Sequence, residues 1–111
     1  MIFKQGDIVI VPFPFSDLSS VKNRPVLILS KFEDIRNSED VITCGITSYL
    51  KEAKHSVLIN NLDLLEGNIP AQSRIKVDKL FTLDKKIIKK KVARLKKEVF
   101  DKVRDEFRKL I

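Results

Sequence analysis

The chain has 111 residues, with 22 lysines and arginines against 15 aspartates and glutamates, giving a formal net charge of +7. That length is one domain's worth, and 43% apolar with 33% charged residues describes a globular chain, not a disordered one. The longest apolar runs, Ile8–Val11 and Val26–Leu29, fall far below the roughly 18 residues that cross a bilayer, and one cysteine with one histidine excludes a disulfide framework and a Cys/His zinc site. Met1 to Asp7 carries no apolar signal core. A soluble, cytoplasmic, single-domain protein over residues 1–111 is the expectation.

In chain order, the strand-like runs come first. Asp7 to Phe13 is rich in β-branched residues and ends among prolines, which predicts a first strand. Pro14 to Asn23 is dense in turn formers and predicts a loop. Arg24 to Ser30 predicts a second strand, with Pro25 expected at its beginning or at an edge. Phe32 to Asp40 is polar, with room for a turn of helix. Val41 to Thr47 reads as a third strand, Ser56 to Ile59 as a short fourth and Ser73 to Phe81 as a fifth. In the third, Ile42, Cys44 and Ile46 fall on one face and Val41, Thr43, Gly45 and Thr47 on the other. From Ile88 onward, Val92, Leu95, Val99, Val103, Phe107 and Leu110 recur every three or four residues, which by itself predicts one amphipathic helix from about Lys85. The pattern describes a mainly β (α+β) fold: a small, strongly bent antiparallel sheet with a helix packed against it.

The positive charge is concentrated at the end of the chain. Lys85 to Ile111 holds 12 lysines and arginines and 4 acidic residues, while the first 84 residues hold 10 and 11. Such a surplus suits a polyanion such as nucleic acid, and equally suits a solvated, stabilising surface. No Gly-rich phosphate loop, GxGxxG or HExxH occurs, so nucleotide-cofactor chemistry is not expected.

Alternation in the fifth strand puts Ile75 and Val77 on one face and Arg74, Lys76 and Asp78 on the other. Two cations and a carboxylate could stabilise a phosphorane and remove a proton from a 2′-hydroxyl. They could as well be ion pairs on a wet strand. Thr47, at the end of its strand and followed by Ser48, could give a hydroxyl to a phosphate oxygen or close a turn. Arg24, extended because it precedes Pro25, stands beside the first loop, where its guanidinium could grip a phosphate or lie idle at the surface. Phe13, Phe15 and Leu18 could stack on unpaired bases or pack in a core or interface. Cys44 reads as a small buried residue and His55 as structural.

Together, Gly6 to Leu18 and Asn23-Arg24-Pro25-Val26-Leu27-Ile28-Leu29-Ser30 resemble the N-terminal half of the MazF/PemK toxins. Gly45-Ile46-Thr47-Ser48 resembles that family's strand-end Thr-Ser signature. Ser73 to Asp84, with its Thr-Leu-Asp ending, resembles the next block, and Val92-Ala93-Arg94-Leu95 the end of the domain. The resemblance implies a small SH3-like or CcdB/PemK-type barrel with a C-terminal α-helix, acting as a homodimer. It implies a metal-independent, sequence-specific endoribonuclease that cleaves single-stranded RNA to 2′,3′-cyclic phosphate and 5′-hydroxyl ends, needs no cofactor and is held by a cognate antitoxin. By the same resemblance Arg24 and Thr47 match the catalytic arginine and threonine. Asp78 stands where some members carry the proposed base, and Lys76 where those members carry an arginine proposed as acid. With that activity, Ser16, Asn23, Ser48, Arg74 and Phe15 are the expected RNA contacts. The resemblance also makes Lys91–Leu95 a short final strand, with the helix from about Lys96 to Leu110, and this reading is preferred to the single helix. The alternative is a non-catalytic protein on the same fold, binding nucleic acid or poisoning gyrase.

Overall fold

The computed structural model describes residues 2–14 and 21–111. The described strands form one antiparallel sheet in the order β4-β6-β3-β2-β1-β7-β5, curled into a half-barrel. They are β1 (Asp7–Pro14), β2 (Val21–Ile28), β3 (Asp40–Thr47), β4 (Ser56–Ile59), β5 (Leu64–Gly67), β6 (Ser73–Asp84) and β7 (Lys90–Leu95). A short helix α1 (Phe32–Asn37) joins β2 to β3, and α2 (Lys97–Arg108) closes the chain. No described helix is long and apolar enough to cross a membrane. Phe15, Ser16 and Leu18, in the expected first loop, lie outside the described residues.

Both faces of the sheet are covered, so apolar runs replace strict alternation. Ile8, Leu27, Cys44, Ile46, Ile75 and Val77 face α2 and pack with its Val99, Phe100 and Val103. Val9, Val11, Val26, Ile28 and Val41 form a second core with Phe3, Ile35 and Ile88. This corrects the two-sided reading of β3. Val41 and Thr43 are buried, the threonine hydroxyl donating to the Phe81 carbonyl at 3.0 Å, whereas Ile42 is 49% exposed.

Pro25 is neither first in its strand nor on an edge strand. It pairs with Ile10, whose carbonyl accepts from the Lys89 N–H on the opposite side. Ile10 and Pro25 are therefore a non-hydrogen-bonded pair, and the proline nitrogen points toward β3. Pairing between β2 and β3 covers only Val26–Ile28 against Thr43–Gly45, so the missing N–H falls just where that ladder has ended. Sequence reading missed β5, whose Gly67 lies at φ +76° with Val92 O only 2.1 Å from where a Cβ would sit. Only glycine fits that approach.

The C-terminal segment is a strand followed by a helix. Asp84 accepts from the Lys86 N–H and starts a tight 3₁₀ turn over Lys85–Ile87 that ends β6. The chain then joins β1, with Lys89 N–H on Ile10 O and Leu95 N–H on Gly6 O. Ile88 and Leu95 fit a helical spacing yet belong to different cores, which one helix face could not serve.

A buried carboxylate locks this corner. Asp7 is fully buried, accepts the Lys4 N–H at 2.8 Å, and meets Arg94 Nε at 2.8 Å and Lys91 Nζ at 3.4 Å. Glu66 on β5 reaches the same lysine, and that hydrogen bond holds its carboxyl below the usual carboxylate range. Three strands thus share one charge cluster. Replacing a buried pair's anion leaves the cations desolvated and unmatched, so Asp7→Ala should cost about 3 kcal/mol or more. Urea denaturation should show this as a lowered midpoint, with Glu66→Ala, at the exposed rim, moving it far less.

Candidate functional site

Past Val26 and Gly45, β2 and β3 part company, and a cleft opens in the fork. It measures about 580 Å³ and is lined by Arg24 and Pro25 from β2, Gly45 and Thr47 from β3, and Arg74 and Lys76 from β6. The register explains the convergence. Thr47 lies opposite Arg74 and Gly45 opposite Lys76, so four positions on two strands share one face. Arg24 enters from β2, half-buried and extended ahead of the proline.

Thr47 Oγ1 accepts the Tyr49 N–H at 3.1 Å, which orients the hydroxyl while its hydrogen can still donate. Arg74 acts partly as a clamp. Its Nη1 donates to Ser56 Oγ at 3.1 Å and its Nη2 to the Leu50 carbonyl at 3.2 Å, holding both ends of the 48–55 loop. That loop contributes Tyr49, Lys51 and Glu52 to the lining, and Lys79 with Phe81 adds to it from β6. Phe13 and Phe81 meet with ring centroids 4.8 Å apart at 57°, giving the cleft an apolar wall beside its cations. Lys51, Glu52 and Lys79 escaped sequence reading. The first two sit in a loop without periodicity, and the third lies within a break in β6.

That break also moves Asp78. Cys44 pairs with Leu80 while the next residue, Gly45, pairs with Lys76, so three residues of β6 bulge out between them. Asp78 is the middle one of these three, after Val77, which is buried in the same core as Ile75. Asp78 is exposed, is not among the described residues lining the cleft, and acts electrostatically on Cys44 from its side of the strand. Asn23 pairs with Pro12 and is exposed, and Ser48 is exposed directly after Thr47; neither lines the cleft. Phe15 and Ser16 lie outside the described residues. His55 sits at φ +54°, its Nδ1 3.9 Å from Glu106 Oε2, away from the lining.

The basic C-terminus is less available to a polyanion than its charge suggests. On α2, Arg104 pairs with Asp101 at 3.0 Å, Arg108 with Asp105 at 3.9 Å and Lys109 with Glu106 at 3.0 Å. The cleft instead gathers Arg24, Lys51, Arg74, Lys76 and Lys79, with Glu52 the one carboxylate among its described lining residues. No three His, Cys, Asp or Glu side chains group as a metal site among the described residues.

A family model described as PemK-like, MazF-like toxin of type II toxin-antitoxin system matches residues 4–111. Among solved structures the chain is similar to a MazE-MazF complex from Deinococcus radiodurans (TM-score 0.81, 19% identity, covering 99% of this chain and 96% of that one). It is similar to an endoribonuclease in complex with its cognate antitoxin from a mycobacterial species (TM-score 0.77, 18% identity, 96% and 92% covered). It is also similar to the Mycobacterium tuberculosis toxin MazF-mt6 (TM-score 0.72, 19% identity, 91% of each chain). At these identities the likeness establishes the fold. No curated protein sequence matches significantly.

Cys44 is not available for chemistry. It is fully buried, and burial, with the Asp78 charge second, pushes its thiol up to about 12. An aromatic disulfide reagent at pH 8 should therefore leave the native protein essentially unlabelled and react promptly once denaturant is added. Fast labelling of the folded protein would contradict this placement.

Proposed function

The chain belongs to the PemK-like, MazF-like toxins of type II toxin–antitoxin systems, and from that premise we propose that it is an endoribonuclease cleaving single-stranded RNA in the cytoplasm. The observation that carries the proposal is the meeting of Arg24, Thr47 and Lys76, from three strands, in one cleft of cationic character. The Thr47 hydroxyl, steadied by the Tyr49 N–H, is suited to hold a non-bridging phosphate oxygen. The Arg24 guanidinium supplies a planar fork for the charge that develops on the phosphorane. Lys76, an ammonium across from Gly45 in the ladder, neutralises the same charge and can protonate the leaving 5′-oxygen. Arg74 adds positive potential and holds the loop.

Attack comes from the RNA's own 2′-oxygen. The products are a 2′,3′-cyclic phosphate on one fragment and a 5′-hydroxyl on the other, and no water or metal ion is consumed. The protein's own cations supply the charge stabilisation that a divalent ion would otherwise give, which supports a metal-independent reaction. Bases would lie against the Phe13–Phe81 wall and the exposed Tyr49, since every base presents a stacking face. The active form is proposed to be a homodimer, inhibited by a cognate antitoxin whose acidic, apolar-anchored segment competes for the cleft.

Cleavage of a mixed-sequence single-stranded RNA should persist in excess EDTA; loss on chelation with return on added Mg²⁺ would contradict the mechanism. Arg24→Ala should slow cleavage by about 10²-fold or more, the cost of losing one preorganised oxyanion donor, and by more than Lys76→Ala does. A folded Arg24→Ala protein at wild-type rate would overturn the site. For the antitoxin, the measurement is competition with labelled, uncleavable RNA. Its displacement of RNA should be complete, and simultaneous binding of both would place the antitoxin elsewhere.

A further inference from the structure

Attack by a 2′-hydroxyl on phosphorus needs an acceptor for its proton, and the cleft narrows the choice. Its described lining holds five cations and one carboxylate, Glu52, while Asp78, the carboxylate that strand alternation favours, stands outside the described lining, within the β6 bulge. We propose that Glu52 is the general base of the cleavage reaction, an assignment that rests on the reading of this cleft as a ribonuclease site.

The placement of Glu52 is built into the fold. The 48–55 loop has no strand partner of its own and is fixed by side chains. Arg74 Nη2 holds the Leu50 carbonyl, and Arg74 Nη1 holds Ser56 Oγ, which itself donates to the Ala53 carbonyl at 2.6 Å. The Tyr49 N–H is held by Thr47 Oγ1 at 3.1 Å. Glu52 thus lies between anchored residues on both sides, in a loop tied to the same Thr47 that is suited to hold the phosphate. Loops positioned on a rigid sheet in this way commonly carry reacting groups. Lys76 lines the same cleft from β6. A carboxylate and an ammonium lining one cleft supply the acid and the base that an in-line displacement can use.

The step balances without a further reactant. The 2′-O–H proton passes to a Glu52 carboxylate oxygen as the 2′-oxygen forms its bond to phosphorus. The P–O5′ bond breaks, and the 5′-oxygen takes its proton from Lys76. Exchange with solvent then returns the proton from Glu52 to the lysine, so the enzyme ends as it began.

The test uses full-length protein and three variants, Glu52→Gln, Glu52→Ala and Asp78→Asn, with circular dichroism confirming that each is folded. Affinity is read with a 2′-deoxy-substituted RNA that cannot be cleaved. Removing a general base typically costs 10²–10⁴-fold. Glu52→Gln should therefore lower kcat by about 10²-fold or more while Kd for the uncleavable RNA stays within about threefold. Added formate should restore part of the rate to Glu52→Ala, as a small carboxylate occupies the space left by the side chain. Asp78→Asn should lose less than Glu52→Gln. A Glu52→Gln protein that cleaves within about threefold of wild type, or an Asp78→Asn loss exceeding that of Glu52→Gln, would overturn the assignment and leave the ribonuclease reading intact. Wild-type protein that leaves every RNA whole would overturn the ribonuclease reading itself, and the assignment with it.

Discussion

A single absent hydrogen shapes the cleft. Pro25 has no N–H to give, and its nitrogen faces the side of β2 where β3 would continue the ladder. The two strands are joined through Val26–Ile28 and separate beyond it, with Arg24 carried out on one arm of the fork and Ile46 and Thr47 on the other. In an unbroken sheet the same residues would sit about 4.8 Å apart on paired strands, with no room for a phosphodiester between them. A proline inside a strand is usually tolerated at an edge; here it makes a local edge within the middle of the sheet. The strand on the far side, β6, stays bound to β3 along this stretch, so Arg74 and Lys76 form the floor opposite Thr47 and Gly45.

The rest of the fold keeps that fork rigid. Two cores, one on each face, clamp the paired parts of β1, β2 and β3 from both sides. The fully buried Asp7, with Arg94 and Lys91, fastens β7 to β1 on the side away from the cleft. Such a pair specifies register more than it stabilises, because desolvating its charges offsets much of their attraction. In the cleft itself, hydrogen bonds from side chains replace a ladder, and Arg74 is the central donor. It links a loop without secondary structure to a strand, so the cationic floor and the loop bearing Tyr49 and Glu52 form one unit.

What the sequence disclosed follows from which interactions are local. Strand runs such as Asp7 to Phe13 and Val41 to Thr47 announce themselves because burial on both faces demands continuous apolar residues. Arg24 and Thr47 stand out in the sequence because each has a marked neighbour, Pro25 in one case and Ser48 in the other, although Thr47 ends its strand and Arg24 lies in the middle of β2. The C-terminal strand was hidden from periodicity, since Ile88 and Leu95 serve different cores at a spacing that imitates a helix. The absence of Asp78 from the described lining has a related reason. Alternation reads straight from Arg74 to Asp78, but pairing with β3 breaks after Lys76 and resumes only at Leu80, a choice made by the partner strand and invisible in β6 alone. Glu52 and Lys51 gave no signal because nothing in a loop's sequence states which side chains on other strands will pin it.

Net charge pointed to the helix, and geometry points elsewhere. Two cations of α2 and Lys109 just past it are engaged by carboxylates one turn away, whereas the cleft assembles cations from two strands and a loop around a single carboxylate among its described lining residues. A polyanion should therefore be read by the fork and its floor, with the helix adding long-range attraction. Hydrogen–deuterium exchange on the wild-type protein, with and without a 2′-deoxy-substituted single-stranded RNA, tests this most directly. The account predicts slowed exchange in residues 24–26, 45–52 and 74–76, with α2 unchanged. Protection confined to residues 85–109, with the fork exchanging as it does without RNA, would contradict it.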